Sequence, residues 1–325
     1  MKTYTEQIQD HLKFLESQGL AVETLEIGAI VRCREIGQLD GRGELAYSTN
    51  INEMSNGCIG LVTWCRNSSG AQVTYRTYGM GPTDEEIIPV AVSTIDPIAI
   101  QKEHESAAKK SYGFWNYSAT SGSSDYLIRK GVGSYGIRFR VSKEFGNVAV
   151  VPMRDIHGKI WSYQLLNPDG TKIVPKGSRV KGVFHALKCI SDGDLIGLSE
   201  GYSTSATCYE LTGIPMVCAF FCENLVEVAS NLAKKYPKSQ IIVFADNDRH
   251  LEEQGMLNIG VLSALEAVKQ VDLCVGIATP EIVDCRPSKE VSDWNDLVRI
   301  KGVEFARDQI TRKLIEVFPN LQLVE

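Results

Sequence analysis

Three acidic sites in the 325-residue chain stand out because of what precedes each of them. The apolar run Ile241-Ile242-Val243-Phe244-Ala245 stops abruptly at Asp246-Asn247-Asp248, two carboxylates one residue apart. A shorter run, Leu195-Ile196-Gly197-Leu198-Ser199, stops at Glu200-Gly201, and Ser292-Asp293-Trp294-Asn295-Asp296-Leu297 supplies a further acidic cluster. An apolar run that ends in a carboxylate is the sequence form of a buried parallel strand delivering an acid to the C-terminal edge of its sheet. Acids gathered at such an edge are suited to metal-assisted chemistry. Each acid taken alone reads equally well as a helix cap or a solvated side chain, and Asp293 or Asp296 could cap a short helix running towards Lys301.

The elements that must position these acids alternate in type. Helical patterns cover residues 203–211, 223–236 and 255–270, with strand-like runs at 215–220 and 273–278 between and after them. Such alternation implies a parallel sheet with right-handed crossovers. Gly201 permits a tight turn from the first strand into its helix. Glu200 and the Asp246/Asp248 pair can therefore meet at one edge.

In this order, Glu-Gly after a first strand, Asp-x-Asp after a third and a later acidic turn resemble a TOPRIM domain, the fold shared by bacterial replicative primases, topoisomerases and some nucleases. The wording Ser199-Glu200-Gly201-Tyr202-Ser203-Thr204-Ser205-Ala206, Ala245-Asp246-Asn247-Asp248-Arg249-His250 and Ser292-Asp293-Trp294-Asn295-Asp296-Leu297 is similar to the TOPRIM primases of phages and plasmids, relatives of the DnaG-type bacterial primases. The resemblance covers about a third of the chain. It implies a nucleotidyltransferase of DNA replication, a DNA-directed RNA polymerase of primase type that makes short RNA primers from ribonucleoside triphosphates on single-stranded DNA. It further implies Glu200, Asp246 and Asp248 as catalytic residues, and the same three with Asp293 as ligands for Mg²⁺ or Mn²⁺.

Upstream of the acids the charge reverses. The chain carries −6 overall, with a pI near 5.6. Between residues 125 and 188, however, Lys and Arg number twelve against only Asp125, Glu144, Asp155 and Asp169, a local charge of about +8. A basic block beside an acidic metal site suits a polyanion held against divalent cations, although a solvated basic surface has the same composition. The block also resembles the subdomain that precedes TOPRIM in bacterial primases, in Val150-Val151-Pro152-Met153-Arg154-Asp155, in Gly158-Lys159-Ile160, and in the stretch from Lys172 through Lys176-Gly177 to Val183-Phe184-His185. Arg154, Lys159, Lys172, Lys176, Arg179 and Lys181 are the candidates for DNA or nucleotide contact. Where replicative primases tend to carry an Arg after the second strand, this chain has Gln164.

Residues 1–92 read as a small α+β domain. Ile8, Leu12 and Leu15 have helical spacing, Gly19 closes that helix, and strands are expected at 30–34, 61–65 and 72–78. Trp64, Tyr75 and Tyr78 lie among Thr and Arg residues, with Arg66 and Arg76 nearby. That interleaving suits a face that binds single strands; it suits the core and surface of an ordinary β-domain better. Residues 93–124 read as a helical connector, preceded by a Gly- and Pro-punctuated acidic linker at 79–97. The expected architecture is thus α/β: an N-terminal α+β domain (1–92), a helical connector (93–124), a basic primase-type α+β subdomain (125–190), and a C-terminal TOPRIM domain (191–325), a parallel sheet flanked by helices and ending in a helix.

Several classes are disfavoured. No apolar run approaches a membrane span and no N-terminal stretch has signal-peptide form, so a cytoplasmic protein is expected, with no membrane partner. Nine scattered cysteines without a Cys-x-x-Cys pair fit reduced thiols, and no structural zinc is expected, although replicative primases usually carry an N-terminal zinc ribbon. No Walker A sequence indicates a fused motor, which leaves a helicase as a separate partner. A topoisomerase needs a nucleophilic Tyr in a large additional domain for which there is little room. A TOPRIM nuclease using the same acids to activate water, and a non-catalytic single-stranded DNA-binding module, stay open beside the primase.

Overall fold

The computed structural model describes residues 2–28, 30–36, 45–53, 59–66, 72–79, 97–253, 258–282 and 291–319. Two compact units divide the chain, Met1–Pro97 and Ile98–Glu325. The acidic linker falls largely outside the described residues.

In the first unit, helix α1 (Tyr4–Ser17) starts at a capping box in which Thr3 and Glu6 satisfy each other's backbone donors. It ends at Gly19, whose φ of 85° reverses the chain into β1 (Leu20–Ala21). Strands β2 (Ile30–Glu35), β3 (Leu45–Glu53), β4 (Ile59–Arg66) and β5 (Gln72–Gly79) then complete an antiparallel sheet in sequence order. Ile8 and Leu15 of the helix join Leu20, Tyr47, Leu61 and Cys65 in one core. No apolar alternation announces β3, because polar Ser48 and Thr49 are among its buried residues: Thr49 bonds Thr63 at 2.6 Å, and Thr63 in turn bonds the buried His11 at 2.6 Å.

The second unit opens with α2 (Pro97–Asn116) and α3 (Asp125–Lys130), followed by the antiparallel sheet β6 (Arg138–Ser142), β7 (Gly146–Arg154), β8 (Ile160–Leu166) and β9 (Lys172–Ile173). Then come β10 (His185–Ala186), β11 (Leu195–Ser199), α4 (Tyr202–Thr212), β12 (Met216–Cys218), a 3₁₀ turn (Cys222–Asn224), α5 (Leu225–Lys235), β13 (Gln240–Phe244), α6 (Arg249–Glu252), α7 (Ile259–Gln270), β14 (Cys274–Ala278), α8 (Trp294–Lys301) and α9 (Val303–Val317). The second sheet has the order β10-β12-β11-β13-β14. Four of its strands are parallel, as the alternating pattern requires, but the edge strand β10 is antiparallel to β12. The expectation of a purely parallel sheet is corrected there: the chain reaches β10 straight from the basic block, without a helical crossover.

Helices cover both faces of this sheet. Trp294, Leu297, Ile310 and Leu314 pack on one side with Ala206 and Leu211, and Val228, Leu232, Ala264 and Ala267 pack on the other. The first of these cores runs on without a break through Tyr126, Leu127, Val151 and Met153 of the basic block. Burial on both faces explains why β11 and β13 read as continuous apolar runs. No helix among the described residues is long and apolar enough to cross a membrane.

Candidate active site

The ends of β11 and β13 lie side by side, Ser199 opposite Phe244, so Glu200 and Asp246 leave the sheet at the same edge. The Glu200 carbonyl accepts the Phe220 N–H at 2.7 Å and is approached by the Cys218 thiol at 3.2 Å. Phe220 takes a φ of 70°, a left-handed conformation that side chains rarely adopt, in the turn that makes this bond. Nothing in the sequence singles out Phe220.

Asp246-Asn247-Asp248 is laced to its surroundings through backbone and amide groups. Asn247 N–H donates to the Ser292 carbonyl at 2.8 Å and its amide donates to the Pro280 carbonyl at 3.0 Å. Asn258, the N-cap of α7, accepts the Asp248 N–H at 3.0 Å and donates to Asn247 Oδ1 at 2.9 Å. The Gly260 N–H donates to Asp248 Oδ2 at 3.3 Å. Helix α7 therefore starts at Ile259, later than the 255 expected; residues 254–257 lie outside the described ones.

The third acidic cluster serves two purposes. Asp293 caps α8 in a reciprocal box with Asp296, its Oδ1 accepting the Asp296 N–H at 2.7 Å, while Thr204 donates to its Oδ2 at 3.4 Å. Asp296 is buried and bound to the Lys130 ammonium at 3.4 Å and to Arg299 at 3.3 Å. Asp296 thus ties α8 to the basic block, as does Asn295, whose amide donates to the Lys130 carbonyl at 2.7 Å.

Electrostatically the acids form one group. Burial pushes the Glu200 carboxyl up to about 7, with Lys172 opposing the rise and Asp248, Glu223 and Asp293 adding to it. Burial also raises Asp246 well above the usual carboxylate range, followed by the charges of Asp293 and Glu200, again against Lys172. Asp293 is raised by burial and by Asp296, and held back by Lys130. Asp246 Oδ1 is buried with no hydrogen-bond partner. A carboxylate oxygen withdrawn from water without a donor is costly unless a cation meets it, and the oxygen-only donor set suits a hard divalent ion. Among the described residues no three His, Cys, Asp or Glu side chains are already arranged to enclose a metal ion. The Lys172 ammonium lies beside the group, 3.4 Å from where a Cβ on Gly201 would lie, and its charge opposes the rise of Glu200 and Asp246.

Of the six basic candidates, Lys172 is therefore the one brought to the acids. Lys159 and Arg179 place their cations 3.6 and 4.7 Å from the ring centre of Trp161, with Lys159 also bound to Glu105 at 2.7 Å. The indole N–H of Trp161 is fixed by Asp155 at 2.7 Å. Arg154 and Arg138 lie over Trp115. Lys176 lines a cavity with Glu103, Lys110, Phe114 and Tyr163. Lys181, 82% exposed, lines a groove with Phe221, Glu223 and Asn224, and Glu223 acts directly on Glu200. Gln164 lies within β8, buried opposite Val151, and not after the strand as the resemblance suggested. Cys33 and Cys65 are buried in the core of the first unit, and Cys58 lies outside the described residues.

The molecule is thus a mixed α/β protein with acids clustered at the C-terminal edge of parallel strands and a basic antiparallel sheet sharing their core. Sequence comparison gives it relatives: the chain is similar to two DNA primases TraC of Escherichia coli, 35% identical over 129 residues in one and 27% over 195 residues in the other. These stretches are 39% and 57% of this chain but only 12% and 13% of the length of the relatives. The resemblance to DNA primases of phage and plasmid type read from the motifs is borne out by these relatives. No protein-family model matches the chain. Among solved structures, it is similar to the primase fragment of the bacteriophage T7 primase-helicase (TM-score 0.42, 16% identity, 60% of this chain and 74% of that one) and to the DnaG primase catalytic domain bound to single-stranded DNA (TM-score 0.44, 13% identity, 68% and 85%).

Proposed function

We propose that the chain carries a primase core of DNA replication, a TOPRIM nucleotidyltransferase that makes short RNA primers from ribonucleoside triphosphates on single-stranded DNA. The observation that supports it most is the convergence of Glu200, Asp248 and Asp293 on Asp246, whose buried Oδ1 has no partner, at the end of β13. Glu200, Asp246 and Asp248, with Asp293, are the residues that would hold Mg²⁺ or Mn²⁺; no structural zinc enters the reading. Once bound, such ions lower the pKa of the attacking 3′-hydroxyl and neutralise charge on the triphosphate and the leaving pyrophosphate.

The chain's own groups do the rest. Glu200, at the end of β11, acts either as a further ligand to the metal or, outside its coordination, as the group that takes up the hydroxyl proton. The Lys172 ammonium meets the triphosphate, the other anion that enters the cluster. Lys159 and Arg179, held on Trp161, form a DNA track with Arg154, Lys176 and Lys181. In functional terms the chain divides into the N-terminal α+β domain at 1–92, the helical connector at 93–124, the basic subdomain at 125–190 and the TOPRIM domain at 191–325. A separate replicative helicase is the fitting partner, and the cytoplasm the fitting compartment.

Incubation with single-stranded DNA, labelled ribonucleotides and Mg²⁺ or Mn²⁺ tests this reading by the appearance of short RNA. Nicking of DNA without nucleotides would assign the acids to a nuclease instead.

A further inference from the structure

Strand alternation sorts the aromatic residues of the first unit into two sets. Tyr75 points inward, stacked on Phe14 of α1 with ring centres 4.9 Å apart and edge-on to His11. Trp64 and Tyr78 have the opposite parity and lie on the other face of the sheet. The register of β4 against β5 pairs Arg66 with Gln72, Trp64 with Thr74, Val62 with Arg76 and Gly60 with Tyr78. Four successive rows on that face therefore carry a cation, a ring, a cation and a ring, spaced by about 7 Å.

Arg66 and Arg76 are exposed and Tyr78 is 42% exposed, while Trp64 on the same face is half-buried. The Tyr78 ring lies over Gly60, where a Cβ would come within 3.0 Å of two ring atoms, so the missing side chain gives the ring a seat on the bare backbone. None of the eight positions in these rows is a carboxylate, although the chain as a whole is acidic. We infer that this face of the first unit binds single-stranded nucleic acid, with bases stacked on Trp64 and Tyr78 and phosphates met by Arg66 and Arg76. Aromatic platforms between guanidinium groups suit unpaired bases, because the faces of paired bases are already stacked within a duplex. The inference deepens the primase reading, on which it rests, by giving the single-stranded template a second contact remote in sequence from the acids.

The test is fluorescence anisotropy of the full chain in EDTA, with labelled dT15, rU15 and a duplex of equal length as probes. EDTA separates binding from synthesis. Arg66→Glu with Arg76→Glu should weaken single-strand binding about tenfold or more and lower the log–log salt slope by about 1.4, two phosphate contacts at about 0.7 each. Trp64→Ala with Tyr78→Ala should weaken it about tenfold or more at an unchanged slope, since stacking releases no counterions. The arginine pair is exposed and guards against a folding defect in the aromatic pair. A grip on dT15 at least as tight as that on rU15 is expected, and rU15 bound the more tightly overturns the assignment to the template. Unchanged binding in the arginine pair, or duplex bound as tightly as single strands, overturns the inference. A wild type that binds through this face yet makes no RNA would keep the inference and remove the primase reading; one that makes RNA with the face variants binding normally would do the opposite.

Discussion

Gly260 and Asp246 touch where no side chain fits: a Cβ on Gly260 would fall 2.5 Å from the Asp246 carbonyl oxygen. The first turn of α7 thereby presses on the acid-bearing loop while the Gly260 N–H holds Asp248. In Gly260→Ala the helix and loop must separate. Synthesis is expected to fall at least tenfold, with a stability loss of about 1–3 kcal/mol from overpacking. Primer yield measured beside chemical denaturation checks this, and full activity would show that the loop tolerates displacement.

Asp246→Asn should abolish synthesis while stabilising the protein without metal. Burial and the neighbouring acids raise the Asp246 carboxyl, so at neutral pH its ionised form opposes folding, and an amide of the same shape removes that penalty. Mg²⁺ should raise the melting temperature of the wild type and leave the variant's nearly unchanged. A variant melting below the metal-free wild type would contradict the electrostatic account.

Reversing Lys176, Arg179 and Lys181 together should weaken DNA binding and flatten its salt dependence by about 2, three phosphate contacts at about 0.7 each on a single strand. An equal affinity loss at an unchanged salt slope would mean that the substitutions acted through packing.

His185 should give the fold an acid-sensitive component. Its Nε2–H donates to the Tyr135 carbonyl at 2.7 Å, and its Nδ1 is buried without a partner. Burial lowers the ring from 6.5 to about 4. Because the folded value is depressed, this contribution is complete above pH 6.5 and is lost as the unfolded chain takes up the proton between 6.5 and about 4, a change of about 3 kcal/mol. Stability of the wild type minus that of His185→Gln should fall through this window and level off below it; a flat difference would remove the claim.

The acidic edge was legible because strands buried on both faces leave uninterrupted apolar runs, and Glu200 and Asp246 follow those runs directly. The antiparallel β10 left no such trace: two residues, His185 and Ala186, carry no period, and their pairing depends on where the basic block leads the chain. β3 was hidden by its buried polar residues, Ser48 and Thr49. Phe220, Asn258 and Gly260 hold the acids through backbone conformation, a cap and a close approach, and each belongs to a residue type common in loops and helices. The place of Lys172 among the acids is a tertiary fact, since only the fold brings β9 beside Gly201. In composition it was one of twelve basic residues in its block.

The central claim is tested most directly by offering the purified chain a single-stranded DNA template, the four ribonucleoside triphosphates and Mg²⁺ or Mn²⁺, and separating the labelled products by length. Short, alkali-labile RNA that requires the template and disappears in Asp246→Asn is the expected result. Template-dependent RNA at wild-type level from Asp246→Asn, or no RNA from the wild type while it nicks DNA without nucleotides, would contradict it.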